Sequence, residues 1–478
     1  MKQDQSQQVN RLTRREFLGR STQAAVGIAA GGALAAKTLA APAINSRIVG
    51  ANDRIVMAGI GIRSRGKDII ESFARHDNVD VKILCDIDKN LFADRVKDME
   101  KIQGTAPGTE QDLRRVYDDK DIDAVNIATT NHWHSLATIW ACQAGKDVYV
   151  EKPGSHNIWE GRKMVETARK YNRVVQHGTQ IRSSVAIREA IDKIREGVIG
   201  EVYMARGLCY RWRPSIGKYP DGQMKKGEDF SLLEGGESDF CFDRSYLKNV
   251  DYDAWLGPAP KRPFNRNRFH YNWHYCWDYG NGDIGNQGVH QMDVARWGLG
   301  VTLPTKVMSM SGHFIFDDQK EVPNIINTTF EFPDAGPRGK LLVFDTRPYH
   351  TNDEKGAKVG IIFYGSEGYM VIPSYSKYQV YHQSNSGETE EPGPGRDEGG
   401  DHIQNFLDAV RARDRKMLNA DVLEAHYSSA LCHIGLLSAR LGRSLEFDPA
   451  KEQFIGDEEA NRFVSREYRE PYVVPEKV

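Results

Sequence analysis

Cysteine is sparse and unpatterned in this chain. The 478 residues hold six: Cys85, Cys142, Cys209, Cys241, Cys276 and Cys432. No two form a CxxC pair, and none stands beside histidines at zinc-ligand spacing. A zinc ribbon and a CxxC redox pair are thereby excluded, no metal site is expected, and the thiols read as free and buried. A bias of charge is missing too. The formal net charge is −2 and the basic residues are scattered. That excludes the basic face of a nucleic-acid binder and the polybasic patch of a membrane-surface protein. No segment is apolar over a length that spans a bilayer permanently, and no internal repeat is visible. What remains is a globular composition, 40 % hydrophobic and 27 % charged, in a length that fits about two to three domains.

The first 43 residues have the layout of an export signal. A polar start leads to Thr13-Arg14-Arg15-Glu16-Phe17-Leu18-Gly19, then an Ala/Gly-rich stretch over Ala24–Ala36, then the small residues Leu39-Ala40-Ala41-Pro42-Ala43. The paired arginines before Phe-Leu resemble a twin-arginine signal. That implies export of the folded chain to the periplasm or beyond, with any cofactor already loaded. No lipidation cysteine follows, so no stable membrane insertion is expected after export.

From residue 50 to 177 the pattern is that of a dinucleotide-binding domain. An apolar strand, Arg54–Ile60, runs into the glycine-rich turn Gly59-Ile60-Gly61-Ile62-Arg63-Ser64-Arg65-Gly66. A helix pattern over Lys67–Arg75 and a second strand, Val79–Cys85, end at Asp86. Gly59 permits a tight turn, and Gly61 lets the backbone of the Ile62-Arg63 turn approach a pyrophosphate at a helix N-terminus. Asp86 can accept hydrogen bonds from ribose hydroxyls and would repel a 2′-phosphate, which favours NAD over NADP; Asp88 stands close by. The third glycine of the usual pattern is Ser64 here, and Gly66 is the candidate to do its work in a longer turn. Further strands at Ala124–Ala128, Asp147–Val150 and Arg173–Gln176 alternate with helical stretches, as in a doubly wound parallel sheet. Thr129, His134, Glu151 and Lys152 fall at or just past the carboxyl ends of these strands, where such sheets bind ligands.

At these residues the chain resembles the Gfo/Idh/MocA oxidoreductases. The resemblance rests on the glycine-rich turn, Asp86, Ala128-Thr129-Thr130-Asn131-His132-Trp133-His134, Glu151-Lys152-Pro153, and Gly282-Asp283-Ile284-Gly285-Asn286-Gln287-Gly288-Val289-His290-Gln291-Met292-Asp293. It implies an α/β fold: an N-terminal Rossmann domain, then a C-terminal α/β domain (178–400) with a large, open, mostly antiparallel sheet, followed by helices and a tail (401–478). It also implies a homo-oligomer, dimer or tetramer, and reversible oxidation of a hydroxyl on a sugar, polyol or glycoside with NAD. Some members of the family hold NAD permanently and use it in a cycle of oxidation, glycosidic cleavage and reduction. The Gly-Asn-Gln-Gly-Val-His form of the last motif is similar to that NAD-dependent glycosidase branch.

Alcohol oxidation needs a base for the hydroxyl proton. His290 qualifies because its unperturbed pKa lies near neutrality. Asp293, three residues on and on the same face of a helix over 288–299, could orient the imidazole or bind a substrate hydroxyl. Lys152 qualifies if desolvation lowers its pKa. The choice between them stays open at this stage. Arg182, Arg213, Trp273 and His274 are substrate candidates, the last three from a stretch (203–279) dense in aromatics and arginines that suit sugar rings and hydroxyls. His402 and His426 read as packing residues, and 216–245 as an insertion, a lid or an oligomer contact. Three functions fit: a dehydrogenase with exchanging NAD, an exported enzyme with retained NAD, and a sugar-binding protein without turnover. The joint presence of Lys152 and His290 argues against the third.

Overall fold

Continuous apolar runs, bounded by glycine and helix-capping residues, build the first sheet. The computed structural model describes residues 54–219, 221, 247–384, 387–392 and 401–478. The signal-like segment, Cys241 and most of the 216–245 insertion lie outside them. Strands β1 (Ile55–Ile60), β2 (Val79–Cys85), β3 (Gly108–Glu110), β4 (Ala124–Ile127), β5 (Asp147–Val150) and β6 (Val175–His177) lie in the order β3-β2-β1-β4-β5-β6. Every pair is parallel. β4 and β5 are buried at every position. Crossover helices cover the middle of such a sheet on both faces, so these two strands are buried on both sides rather than alternately. The crossovers include α1 (Arg65–Ala74), α2 (Phe92–Gln103), α3 (Leu113–Asp118), α4 (Asn131–Gln143) and α5 (Ile158–Lys170). Side chains start two of them: Asp112 accepts from the Arg114 N–H and Asn157 from the Glu160 N–H. Strand order reverses between β1 and β4, the switch point where such sheets open a crevice.

The second sheet has ten strands. They are β7 (Val202–Cys209), β8 (Lys306–Gly312), β9 (Ile325–Phe332), β10 (Lys340–Thr346), β11 (Val359–Gly365), β12 (Gly368–Ser374), β13 (Lys377–Ser384), β14 (Gly387–Pro392), β15 (Leu445–Asp448) and β16 (Gln453–Phe454), ordered β14-β13-β12-β11-β7-β10-β9-β8-β15-β16. Only the β7–β10 pair is parallel; the others are antiparallel. Among the described residues, the helices of this part are α6 (Val185–Arg195), α7 (Tyr252–Leu256), α8 (Val289–Leu299), α9 (His402–Ala412), α10 (Val422–Leu441) and α11 (Glu458–Asn461). Val289 and Met292 of α8 and Leu431 and Ile434 of α10 share one core with Val307, Phe330, Leu342 and Phe344 of the sheet. On the opposite face, Leu208, Ile362 and Val371 form a small buried cluster of their own, whereas β8 alternates buried and exposed residues, and Met308 and Met310 project outward, 58 % and 73 % exposed.

The last part of the chain comes back to the first sheet. Phe406 of α9 packs edge-on to Phe73 and Tyr149, with ring centroids 5.8 and 6.1 Å away. Tyr472 and Val474 join the core formed by β4, β5 and α4. The five described cysteines are free and buried. Among the described residues no helix is long and apolar enough to cross a membrane, and no His/Cys/Asp/Glu group could hold a metal.

Candidate active site

The glycine-rich turn is built by close backbone approaches. Gly61 has φ +78°, and a Cβ there would lie 2.6 Å from the Ala128 carbonyl oxygen. A Cβ on Gly66 would lie 1.9 Å from the Gly61 carbonyl oxygen. Gly66 therefore does the work of the third glycine, and Ser64 takes a left-handed conformation (φ 45°) on the way to it. Asp86 closes the turn from the end of β2: its Oδ2 accepts the Ile62 N–H at 2.9 Å and its Oδ1 the Asp88 N–H at 3.0 Å. Burial pushes the Asp86 pKa up to about 6, against the pull of those two N–H groups.

Two further strand ends meet opposite the turn. His134, at the start of α4, ties them together: Nδ1 lies 2.7 Å from the Pro153 carbonyl oxygen and Nε2 3.1 Å from that of Thr129. Glu151, after β5, accepts the Lys152 N–H at 3.2 Å and pairs with Arg65 at 3.4 Å. The Lys152 Nζ donates to both oxygens of Asn286, the backbone carbonyl at 2.6 Å and Oδ1 at 3.0 Å. Asn286 sits in a π-helical turn, Ile284–Gly288, that leads into α8. Such turns recur at functional sites because they re-aim groups a regular helix would bury in its own ladder. Desolvation is the largest cause of a lowered Lys152 pKa; Glu151 opposes it, and Arg65, Arg213 and Arg211 reinforce it.

Gly61, Arg63, Asp86, Thr129, His134, Glu151, Lys152, Trp273 and His274 all line one cavity of about 300 Å³. Trp255 and Tyr271, from the aromatic stretch 203–279, also line it, and three further wall residues, Arg65, Asn286 and Tyr472, had no site role in the sequence reading. Asn286 stands inside the motif quoted above, and Arg65 inside the glycine-rich turn. Tyr472 carries no local signal, since it reaches the wall only through the return of the tail. Trp273 and His274 stack at 3.6 Å, and burial, Lys152 and Arg213 bring the His274 pKa down to about 3.

Six expected site residues stand elsewhere. Gly59 lies within β1, facing Ile70. Ile62 is buried under the turn and contributes its amide to Asp86. Arg182 and Asp293 form a buried two-bond ion pair, 2.7 and 2.9 Å, that also engages Ser428 and Glu424. Both Asp293 oxygens are thus occupied away from the imidazole of His290. Arg213 pairs with Asp283 at 2.9 Å and reaches Tyr271 Oη at 3.3 Å, so it supports a wall residue from behind. His290 is buried with its ring 5.5 Å from that of Tyr375, and its Nδ1 has no hydrogen-bond partner among the described residues. Burial and the neighbouring Lys152 hold its pKa well below the usual range, so it is neutral. His402 has a structural place: Ser183 Oγ lies 2.6 Å from its Nδ1, and its Nε2 is 2.8 Å from the His177 carbonyl oxygen.

Turn, carboxylate and cleft fit a dinucleotide. Gly61 leaves the backbone open where a side chain would strike Ala128, and Asp86 presents a half-buried carboxylate to the cavity at the end of β2. Fold and site together define a protein of two α/β parts, the first a dinucleotide-binding Rossmann domain. Residues 54–179 match the oxidoreductase family's NAD-binding Rossmann fold, and residues 234–338 and 391–474 match its C-terminal alpha/beta domain. The chain belongs to the Gfo/Idh/MocA oxidoreductase family and carries its NAD-binding domain.

Among curated relatives, a glycosyl hydrolase family 109 protein of Shewanella pealeana is 25 % identical over 203 residues, 40 % of this chain and 44 % of the relative. The 1,5-anhydro-D-fructose reductase of Ensifer adhaerens is 40 % identical over 88 residues, 18 % of this chain and 26 % of the relative. The chain thus matches less than half the length of either. Among solved structures, the aldose-aldose oxidoreductase of Caulobacter crescentus, complexed with glycerol, superposes with a TM-score of 0.59 at 16 % identity, covering 82 % of this chain and all of that one.

Proposed function

We propose that the protein oxidises a hydroxyl of a sugar, polyol or glycoside beside Lys152. The hydrogen bonding of that amine carries the reading. Its neutral form has two N–H groups and one lone pair. Asn286 takes both N–H groups, which leaves the lone pair for a substrate hydroxyl proton. Desolvation lowers the Lys152 pKa and so favours that form relative to an ordinary lysine. NAD, when bound, accepts the electron pair and hydrogen leaving the same carbon. Lys152 rather than His290 takes the proton in this reading because Lys152 lines the cavity. His274 and Trp273 offer a neutral aromatic wall for a sugar ring. The exposed Met308 and Met310 of β8 support assembly into a dimer or tetramer through that part of the second sheet.

Glycoside cleavage with retained NAD is the second reading, and the family 109 relatives favour it. Export by the twin-arginine route belongs with it. A folded enzyme sent out of the cytoplasm would carry its cofactor and restore it each cycle.

The test starts with protein purified without added NAD and then denatured. About one equivalent of nicotinamide released per chain, with activity on glycosides and no NAD supplied, supports the second reading. An empty protein that turns over sugars only with added NAD supports the first alone. A Lys152→Met variant that keeps wild-type kcat/KM on an active substrate would sink both assignments of the base to Lys152, since removing a general base costs on the order of 10²–10⁴-fold.

A further inference from the structure

Part of the cavity wall comes from segments far away in the chain. Residues 247–257 cross the carboxyl ends of β2 and β3 as a strap. Its Val250 bridges Asp88, the Asp251 N–H donates to the Ile87 carbonyl at 2.9 Å, and Asn249 accepts the Lys89 N–H at 3.0 Å. On the other side, Trp133 Nε1 donates to the carbonyls of Ala254 and Trp255 at 3.0 and 3.1 Å. The C-terminal tail then fastens this strap. Arg469 donates to both carboxylate oxygens of Asp253 (2.8 and 3.0 Å), to the Asp253 carbonyl (2.6 Å) and to the Gly257 carbonyl (2.9 Å). Three residues on, Tyr472 packs its ring 5.3 Å from that of Trp133 and 4.9 Å from the Arg469 guanidinium. Asp251, Ala254, Trp255 and Tyr472 share the cavity wall with Asp86.

We propose that strap and tail form a latch, locked by Arg469, that sets how fast NAD leaves the site. Much of the strap is irregular, with only the short α7 in it, and such segments open at lower free energy than a sheet core. Arg469 joins it to a tail anchored in the core of the first sheet, and so adds to the Trp133 and Ile87 bonds the fastening that ties the wall beside Asp86 to the tail. The latch rests on the reading that this cavity holds NAD, but not on whether the enzyme recycles it.

The test uses the full chain loaded with labelled NAD and chased with unlabelled NAD, reading the rate of label loss. Arg469→Gln should raise that rate about five- to tenfold, as expected for losing charge-assisted hydrogen bonds. Asp253→Asn should raise it less, and the double variant should be no faster than Arg469→Gln alone. Tyr472→Leu, which keeps an apolar plug, should also accelerate release. Arg469→Lys keeps the charge without the fork and guards against a variant that fails to fold; its rate should fall between parent and Arg469→Gln. Rates within twofold of the parent in Arg469→Gln, Arg469→Lys and Tyr472→Leu overturn the latch, and if that parent holds NAD for hours the retained-cofactor reading stands without it. A parent that releases NAD within seconds while the variants release it faster still supports the latch and ends that reading. A parent that binds no NAD overturns both.

Discussion

Replacing Arg182 by methionine tests whether this arginine serves the substrate or the fold. Asp293 is fully buried, and two short hydrogen bonds from Arg182 face its two oxygens. Burial alone would raise the Asp293 pKa, yet Arg182 outweighs it with help from Arg296 and Ser428, and the pKa falls to about 2. The pair therefore stabilises the fold fully above the unfolded carboxylate value near 3.9 and loses that contribution as pH falls toward about 2. Methionine at 182 leaves the carboxylate buried and under-compensated, which costs about 3–5 kcal/mol when one partner of such a pair is removed. Part of that loss belongs to Glu424, which Arg182 also holds at 2.9 Å. Urea denaturation at neutral pH, followed by tryptophan fluorescence, reads the change as a lower midpoint at constant slope. Adding Asp293→Leu should recover much of the loss, because the stranded charge is gone. Stability within about 1 kcal/mol of the parent, together with a large rise in KM, would refute the structural assignment and return Arg182 to the substrate.

Lys152 as base predicts that kcat/KM for oxidation rises with pH through a pKa below the ordinary lysine value of about 10.4; Lys152→Met should abolish that limb, and an identical limb in the variant would assign it to another group. Gly66→Ala should weaken NAD binding by at least about tenfold, since its Cβ meets the rigid Gly61 carbonyl at 1.9 Å and α1 must shift away from the turn. Gly59→Ala meets a side chain rather than backbone, the buried Ile70 Cγ1 at 2.9 Å, and should weaken NAD binding less than Gly66→Ala does; calorimetric titration with NAD distinguishes the two. His132, His177, His274 and His433 are held neutral by burial, each with its pKa lowered to about 3. The unfolded chain takes up their protons below about pH 6.5, so stability should fall by about 2 kcal/mol per histidine on going to pH 5. Denaturation midpoints that do not change over that range would contradict their neutrality.

Local pattern carried the first sheet. The turn from Gly59 to Gly66, the buried strands and Asp86 are contiguous features, and each needs only its neighbours to be read. Even the departure at Ser64 was legible, because Gly66 lies two residues on. The charged residues were not legible in the same way. Arg182 and Asp293 are 111 positions apart, and Arg213 and Asp283 are 70 apart. A sequence shows that a charge exists but not which distant charge neutralises it, so buried ion pairs and substrate ligands look alike until the fold is known. The aromatic stretch divides for a similar reason. Phe269 and Tyr279 join a small apolar core, Trp273 belongs both to that core and to the cavity wall, and His274 reaches the cavity. Lys152 was readable from its place at a strand end, but its partner Asn286 depended on a π-helical turn that periodicity does not announce.

The return of the chain's end to its beginning has a consequence for biosynthesis. When residue 180 has left the ribosome, every strand of the first sheet has been made, yet its core still lacks Phe406, Leu407 and Val410 on one side and Tyr472 on the other. The first gap stays open until about 230 more residues have been added and the second until about 290 have. The nucleotide-binding half is therefore finished last, although it is translated first, and a fragment cut after β6 should expose apolar surface and aggregate rather than fold as an independent module.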